Sequence, residues 1–270
     1  MDRREGADRN QVIMKHPALT KRVRTHYEGR AFSPRLVDGL CEEIERRTRP
    51  DGVEIAKGWK IPVEQVLEVF EPVEQAPRPA ILHPAPAAIL ALSFGYRLDS
   101  PFARLPEDRC AGPNNEALAE MTRRCHALFP EAWVGVQHEV GVALAETDEP
   151  EDTLSPELIT PPRDWNTSQV LAYFVEHLPR YAFAGNRCVI VVSHLHHYGR
   201  AEILLSRDGL EAFPAPKEVP AYADYDPGEA QPRFRSPWEY LVNDFLALCK
   251  ASAAPRTPAI DPPPYFAAAR

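Results

Sequence analysis

The sequence contains no long apolar run. Nothing in it approaches the roughly 20 consecutive residues that a membrane-spanning helix requires, so no membrane partner is expected. It also lacks a basic excess: 31 Lys and Arg against 39 Asp and Glu leave a formal charge of −8. That balance argues against a nucleic-acid-binding surface, which needs a basic stripe. A local basic pocket stays open, because net charge does not describe its own distribution. The five cysteines (Cys41, Cys110, Cys125, Cys188 and Cys249) are scattered and form no CxxC. Free thiols, several of them buried, are expected instead of a disulfide framework or a structural zinc site. The N-terminal "MDRREGADRNQVIMKHPALTKRVR" carries charge but no apolar h-region, so a cytoplasmic protein is expected. There is no GxGxxG and no GxxxxGK[ST], which leaves dinucleotide and P-loop readings without support. Ser193 has no GxSxG context, so a hydrolase nucleophile elbow is not expected. Nothing repeats internally.

Glycine is modest at 13 residues while proline is high at 29. The prolines concentrate in 71–88, 147–164, 214–232 and 255–266, stretches that read as extended connectors over a surface. Residues 1–75 read as a separate N-terminal helical extension, 76–86 as a Pro-rich linker, 87–250 as an α/β domain and 251–270 as a flexible tail. In "SPRLVDGLCEEIERRT" (33–48), Ser33 and Pro34 open a helix with Leu36, Leu40 and Ile44 on one stripe.

From position 87 the rhythm alternates between strand and helix. "AAILALS" (87–93) and "RCVIVVS" (187–193) are continuous apolar runs, as expected of strands buried on both faces. "AWVGVQ" (132–137) is a further strand, and "LEAFPA" (210–215) a short one. Helices are expected at 113–129, 166–181, 199–209 and 236–251, with a short one at "EVGVALAE". Leu118, Met121, Cys125 and Leu128 would face inward from the first. The pattern predicts a Rossmann-like, mainly parallel sheet with helices on both faces and 187–193 as an interior strand.

Ligands in such a sheet bind beyond the carboxyl ends of the strands. Three loops leave those ends: Ser93–Arg97, with Gly95 at a sharp exit; the loop opening at Gln137, His138 and Glu139; and Ser193–Arg200. The last holds three histidines, His194, His196 and His197. His197 and Arg200 fall at an expected helix start, whose N–H groups and dipole favour an anion. An arginine there opposes the dipole, which suggests a shared anionic ligand. Its alternative is a surface arginine, or one paired with Glu139 or Glu116. For the histidines, metal binding is not expected, because a catalytic zinc needs three ligands; one functional, one packed and one solvated histidine is the expectation. Asn114, Asn115 and Glu116 either hydrogen-bond a ribose, sugar or phosphate or cap the helix. Asn166 and Thr167 either cap theirs or reach the same cleft.

The run "VIVVSHLHHYGRAEILLSRDGL" resembles the YdcF/SanA/ElyC-type family, a widespread bacterial domain of largely unknown function. That family has a strand ending in Thr-Ser followed by a helix-opening His-x-x-Arg-Ala. Ser193 and His194 stand at the Thr-Ser positions, and His197, Arg200 and Ala201 match the second motif. "GPNNEALA" is similar to its Asn-containing helix start, Thr167 to its helix-opening threonine, and Glu239 to a frequent glutamate in its closing helix. Val170 departs from the family's asparagine. The resemblance spans about 86–250 and implies a polar, partly basic cleft that holds a small anionic, nucleotide-like or phosphorylated molecule, with His197 as acid/base and Arg200 binding the charge. The alternatives are a non-catalytic sensor of a nucleotide-type molecule such as S-adenosylmethionine, and an interaction module built on the Pro-rich and N-terminal segments. Reaction, cofactor and oligomeric state are not readable.

Overall fold

In the computed structural model, the described residues are 16–28, 30, 32–70, 85–97, 111–145, 157–159, 166–178, 186–220, 222 and 224–253. The expected linker 76–86 lies almost entirely outside them, as does the tail from 254 onward.

The chain opens with α1 (Pro17–Glu28) and α2 (Pro34–Arg47). Pro34 takes the first helical position after Ser33, and Val37, Leu40, Cys41 and Ile44 recur at helical spacing on the buried face. Next come β1 (Thr48–Arg49), β2 (Gly52–Ala56) and β3 (Trp59–Ile61), an antiparallel three-stranded sheet, and then α3 (Val63–Val69). The N-terminal region is therefore not purely helical. Gly52 (φ 135°) is required in the first hairpin: a Cβ would stand 2.4 Å from the Ile61 carbonyl oxygen.

The remainder is a five-stranded parallel sheet in the order β6-β5-β4-β7-β8. Its strands are β4 (Ala88–Ala91), β5 (Trp133–Gln137), β6 (Glu157–Ile159), β7 (Cys188–Val192) and β8 (Glu211–Pro214). The helices are α4 (Gly112–Leu128), α5 (His138–Ala145), α6 (Thr167–His177), α7 (Leu195–Arg207) and α8 (Pro237–Ala253). This is a Rossmann-like α/β fold.

The apolar runs follow from burial on both sides. Ile89, Ala91, Ile190 and Val192 point into one hydrophobic cluster with Leu118, Met121 and Cys125 of α4. Their neighbours Ala88, Leu90, Val189 and Val191 point into the other, with Val170 and Phe174 of α6 and Leu204 and Leu205 of α7. Leu128, expected inside, is 46% exposed because α4 ends there. β6 falls in a stretch that reads as a connector, and it pairs with β5 from Gly135↔Glu157 onward.

The N-terminal layer joins the same core. Leu19, Val23, Leu40, Ile44, Val66 and Phe70 belong to the α4-side cluster, and α2 and α3 pack against α8. Phe70 stacks on Phe245 with ring centroids 5.7 Å apart. Among the described residues no helix is long and apolar enough to cross a membrane. Phe70→Ala should cost about 3–5 kcal/mol and shift one cooperative denaturant transition to lower midpoint. A biphasic transition with an unshifted second phase would show that the N-terminal layer unfolds independently.

Candidate functional site

Strand connections proceed from β4 toward β5 and β6 on one side, and from β7 toward β8 on the other. The reversal lies between β4 and β7, and the crevice beyond the carboxyl ends of such a pair is where open α/β sheets take ligands. Residues 92–97 and 193–197 leave these two ends.

α7 starts at Leu195, four residues earlier than the sequence pattern indicates. His194 is its N-cap, with Nδ1 accepting from the His196 N–H at 3.2 Å. Nδ1 therefore has no proton, and Nε2–H donates to the Asp224 carbonyl at 3.0 Å. The His194 ring stacks flat on Phe94 at 3.8 Å, and His196 stacks on Phe32 at 3.9 Å while its Nδ1 meets the Tyr225 hydroxyl at 2.7 Å. No histidine of the trio is solvated: His194, His196 and His197 are all buried. Among the described residues no group of three or more His, Cys, Asp or Glu is placed to hold a metal ion.

Arg200 consequently sits in the second turn of α7 and not at its start, outside the region where the dipole acts strongly. It is also neither on the surface nor paired with Glu116 or Glu139. Its Nη1 lies 3.3 Å from Asp244 Oδ1 on α8, both residues being buried. Asp244 further accepts the hydroxyls of Tyr27 (3.0 Å) and Tyr240 (3.2 Å). Burial alone would lower the Arg200 pKa, but Tyr240, Asp244 and Tyr27 outweigh it and raise it.

Arg200 Nη2 donates to His197 Nε2 at 3.0 Å. A guanidinium only donates, so Nε2 is the lone-pair nitrogen and Nδ1 carries the proton. The Thr167 hydroxyl, at the start of α6, stands 3.3 Å from the same Nε2. Burial, followed by the charge of Arg200, holds the His197 pKa well below its usual value. The ring is a neutral donor whose one basic nitrogen faces a cation.

The loop after β4 consumes several expected ligand groups. Asn115 Oδ1 accepts from the Phe94 N–H at 2.9 Å, and its Nδ2 donates to the carbonyls of Gly95 (3.0 Å) and Ala111 (2.7 Å). Asn114 Nδ2 donates to the Phe94 carbonyl and to Glu229 Oε2, each at 3.3 Å, while Oδ1 accepts from Tyr222 at 2.8 Å. Neither asparagine caps α4, which begins at Gly112. Gly95 (φ 78°) leaves no room for a side chain, since a Cβ would lie 2.3 Å from the Glu229 carboxyl carbon. Glu116 is exposed. Asn166 is likewise exposed and forms a full capping box with Gln169. Gln137 Oε1 accepts from the Ser93 N–H at 3.1 Å, and Ser193 Oγ reaches only the His194 carbonyl, at 3.3 Å.

α4 packs on one face of the sheet and α7 on the other; Asn115 binds the Phe94–Gly95 backbone, whereas Arg200 binds His197 and Asp244. Gln137 and Thr167 stay near the β4 and β7 ends. Gly95 and Asn114 instead lock the long connection between β8 and α8 over the crevice, against Glu229 and Tyr222, while Asn115 ties the loop after β4 to the start of α4. Sequence reasoning missed that connection: Arg97 pairs with Asp226 at 2.8 Å, and Glu229 accepts the Tyr96 N–H. The signal available was Glu229 among tyrosines and prolines in "ADYDPGEAQP". Also missed were Asp244 and the cation Arg233.

What remains unsatisfied defines the site. Ser93 Oγ, His197 Nδ1 and Arg200 Nε are buried and have no hydrogen-bond partner among the described residues, and the same holds for Arg30 Nη1 beside Gly199 of α7. His197 Nδ1 and Arg200 Nε are donors, so the complementary group is an acceptor. An α/β protein with a Rossmann-like sheet and donor-lined carboxyl ends is thus the class the geometry defines. No protein-family model, no curated protein and no solved structure matches the chain.

Arg200→Ala should lower stability by about 3–5 kcal/mol, because it strands a buried carboxylate. Arg200→Met combined with Asp244→Asn should recover most of that loss in denaturant titrations. Equal losses in both variants would mean that packing, not charge, dominates.

For pH, burial lowers His26 to about 3 and His197 well below its usual value. The unfolded state then binds the extra protons below about pH 6.5, and these residues make stability fall on acidification. Glu229 works oppositely. Burial raises it to about 7 from 4.5, so its contribution is present at low pH and lost as pH rises through 7. Glu229→Gln should therefore steepen the stability loss from pH 7 to 5 by about 1 kcal/mol per pH unit, as read from chemical denaturation at stepped pH. An unchanged slope would place Glu229 at its ordinary value.

Proposed function

We propose that this protein binds a small anionic molecule, phosphorylated or nucleotide-like, at the carboxyl ends of β4 and β7. The observation that carries the reading is that three buried atoms close to these strand ends, Ser93 Oγ, His197 Nδ1 and Arg200 Nε, have no partner among the described residues. A buried donor left unpaired costs about 1–3 kcal/mol. A fold that keeps two obligate donors and a hydroxyl in that state fits a ligand presenting acceptor oxygens. The resemblance of His197, Arg200 and Ala201 to the His-x-x-Arg-Ala of YdcF-type proteins supports the same place.

Within that reading His197 serves as a neutral hydrogen-bond donor through Nδ1–H. General-base work would need the Nε2 lone pair, which Arg200 Nη2 occupies at 3.0 Å. This favours binding, or polarisation of a bound oxygen, over proton abstraction by His197. A non-catalytic ligand-binding protein is accordingly the second reading, and turnover of the bound molecule separates the two.

The test joins mass spectrometry of small molecules that co-purify with the native protein to thermal-shift titration with AMP and inorganic phosphate. Either anion should raise the melting temperature of the wild type, and His197→Phe should weaken that binding by about tenfold or more. Absence of stabilisation by both, with no anionic molecule retained from purification, would refute anion binding.

A further inference from the structure

The donors at the strand ends are closed off from water. Ser93, His197 and Arg200 are 6, 3 and 5% exposed, so an anion reaches them only if part of the covering moves aside. Two rings border His197 at 6.2 Å: Phe94 of the loop after β4, and Tyr240 of α8. Tyr225 packs on both, at 5.6 and 6.4 Å, and on His194 at 4.7 Å. It comes from residues 224–230 of the connection between β8 and α8, none of which is in a helix or strand.

These seven residues are fastened mainly by polar contacts, unlike the chain on either side. Val219 before them and Phe234 after them are buried in the α4-side core. Between those anchors the Asp224 carbonyl accepts His194 Nε2–H at 3.0 Å, and the Tyr225 hydroxyl lies 2.7 Å from His196 Nδ1. Asp226 takes Arg97 Nε and Nη2 at 2.8 and 2.9 Å. The Ala230 N–H donates to the Tyr96 carbonyl at 3.0 Å, and Glu229 accepts from the Tyr96 N–H and Asn114. Asp224, Pro227 and Gly228 are exposed along the outer side. Water replaces each of these bonds when the segment lifts, so the net cost of opening is far below the sum of the contacts. The apolar anchors have no such substitute in water and stay seated. A stretch held in this way opens locally, at lower free energy than the strands it covers.

We propose, resting on the anion-binding reading above, that residues 224–230 are a flap that gates the site. The flap is shut in this structure and opens as a unit while the sheet stays folded. Its fastenings lie on the same two loops that carry the donors: Tyr96 and Arg97 follow Ser93, and His194 and His196 precede His197. Lifting it withdraws Tyr225 from Phe94 and Tyr240, the two rings that border His197.

Amide hydrogen exchange of the full-length protein tests the flap without any ligand. The amides of Tyr96 and Ala230 donate across its edge, while that of Leu92 donates to Val192 between β4 and β7. The first two should share one protection factor, about a hundredfold or more below that of Leu92. Asp226→Asn, which loses the ion pair with Arg97, should speed their exchange about fivefold and leave Leu92 unchanged. Association of AMP, or of inorganic phosphate if it alone binds, should accelerate in Asp226→Asn by the same factor. Exchange of Tyr96 and Ala230 only together with Leu92 would overturn the flap, whether or not an anion binds. Faster exchange with an unchanged association rate would show that anions enter elsewhere and would overturn the gate. Failure of the wild type to bind AMP or inorganic phosphate would remove the anion-binding reading and the gate with it, even where exchange shows the segment opening.

Discussion

A guanidinium and a carboxylate taken out of water together are stable only when their remaining hydrogen-bonding positions are also filled. Arg200 and Asp244 come close to meeting that condition, and much of the molecule is arranged around them. Asp244 receives Tyr27 from α1, Tyr240 from α8 and Arg200 from α7. One carboxylate thereby ties the N-terminal layer, the closing helix and the helix behind β7. Arg200 uses its other terminal nitrogen to fix the tautomer of His197. The exception is Arg200 Nε, buried and without a partner among the described residues. The pair is structural on one side and turned toward the sheet's carboxyl edge on the other.

The connection from β8 to α8 imposes the second constraint. In an open sheet the crevice between β4 and β7 would face solvent, but here the protein's own rings fill its centre. Phe94 stacks on His194, with Tyr225, Phe234 and Tyr240 around it. Glu229 holds this covering in place by accepting the N–H groups of Tyr96 and Ala230 and a donor from Asn114. The residues that in the sequence look most like ligand contacts therefore serve the covering, and the buried donors left without a partner among the described residues include those of His197 and Arg200.

The difference between what the sequence shows and what it hides has physical causes. The runs at 87–93 and 187–193 are legible because both faces of β4 and β7 are buried, so no polar residue interrupts them. α2 and α6 are legible from Ser33-Pro34 and from Asn166 with Gln169. The sheet β1–β3 is hidden because only Val53, Ile55 and Ile61 mark it within a charged stretch. The start of α7 is hidden because histidine is an unusual cap and the first turn, Leu195–Tyr198, has no apolar stripe. The role of Asn115 depends on a backbone 20 residues earlier, and that of Arg200 on a carboxylate 44 residues later. Local periodicity carries no such information, so the strands β4 and β7 and the loops that leave them were legible while the job of each polar residue was not.

The central claim is that Arg200 holds His197 as a neutral imidazole with its proton on Nδ1. Nitrogen-15 NMR of the histidine side chains across pH 5 to 8 tests it directly. The account predicts a protonated, pyrrole-type Nδ1 and a pyridine-type Nε2 for His197, unchanged through that range. A proton on Nε2, or a ring that titrates near pH 6.5 as a free histidine does, would contradict it.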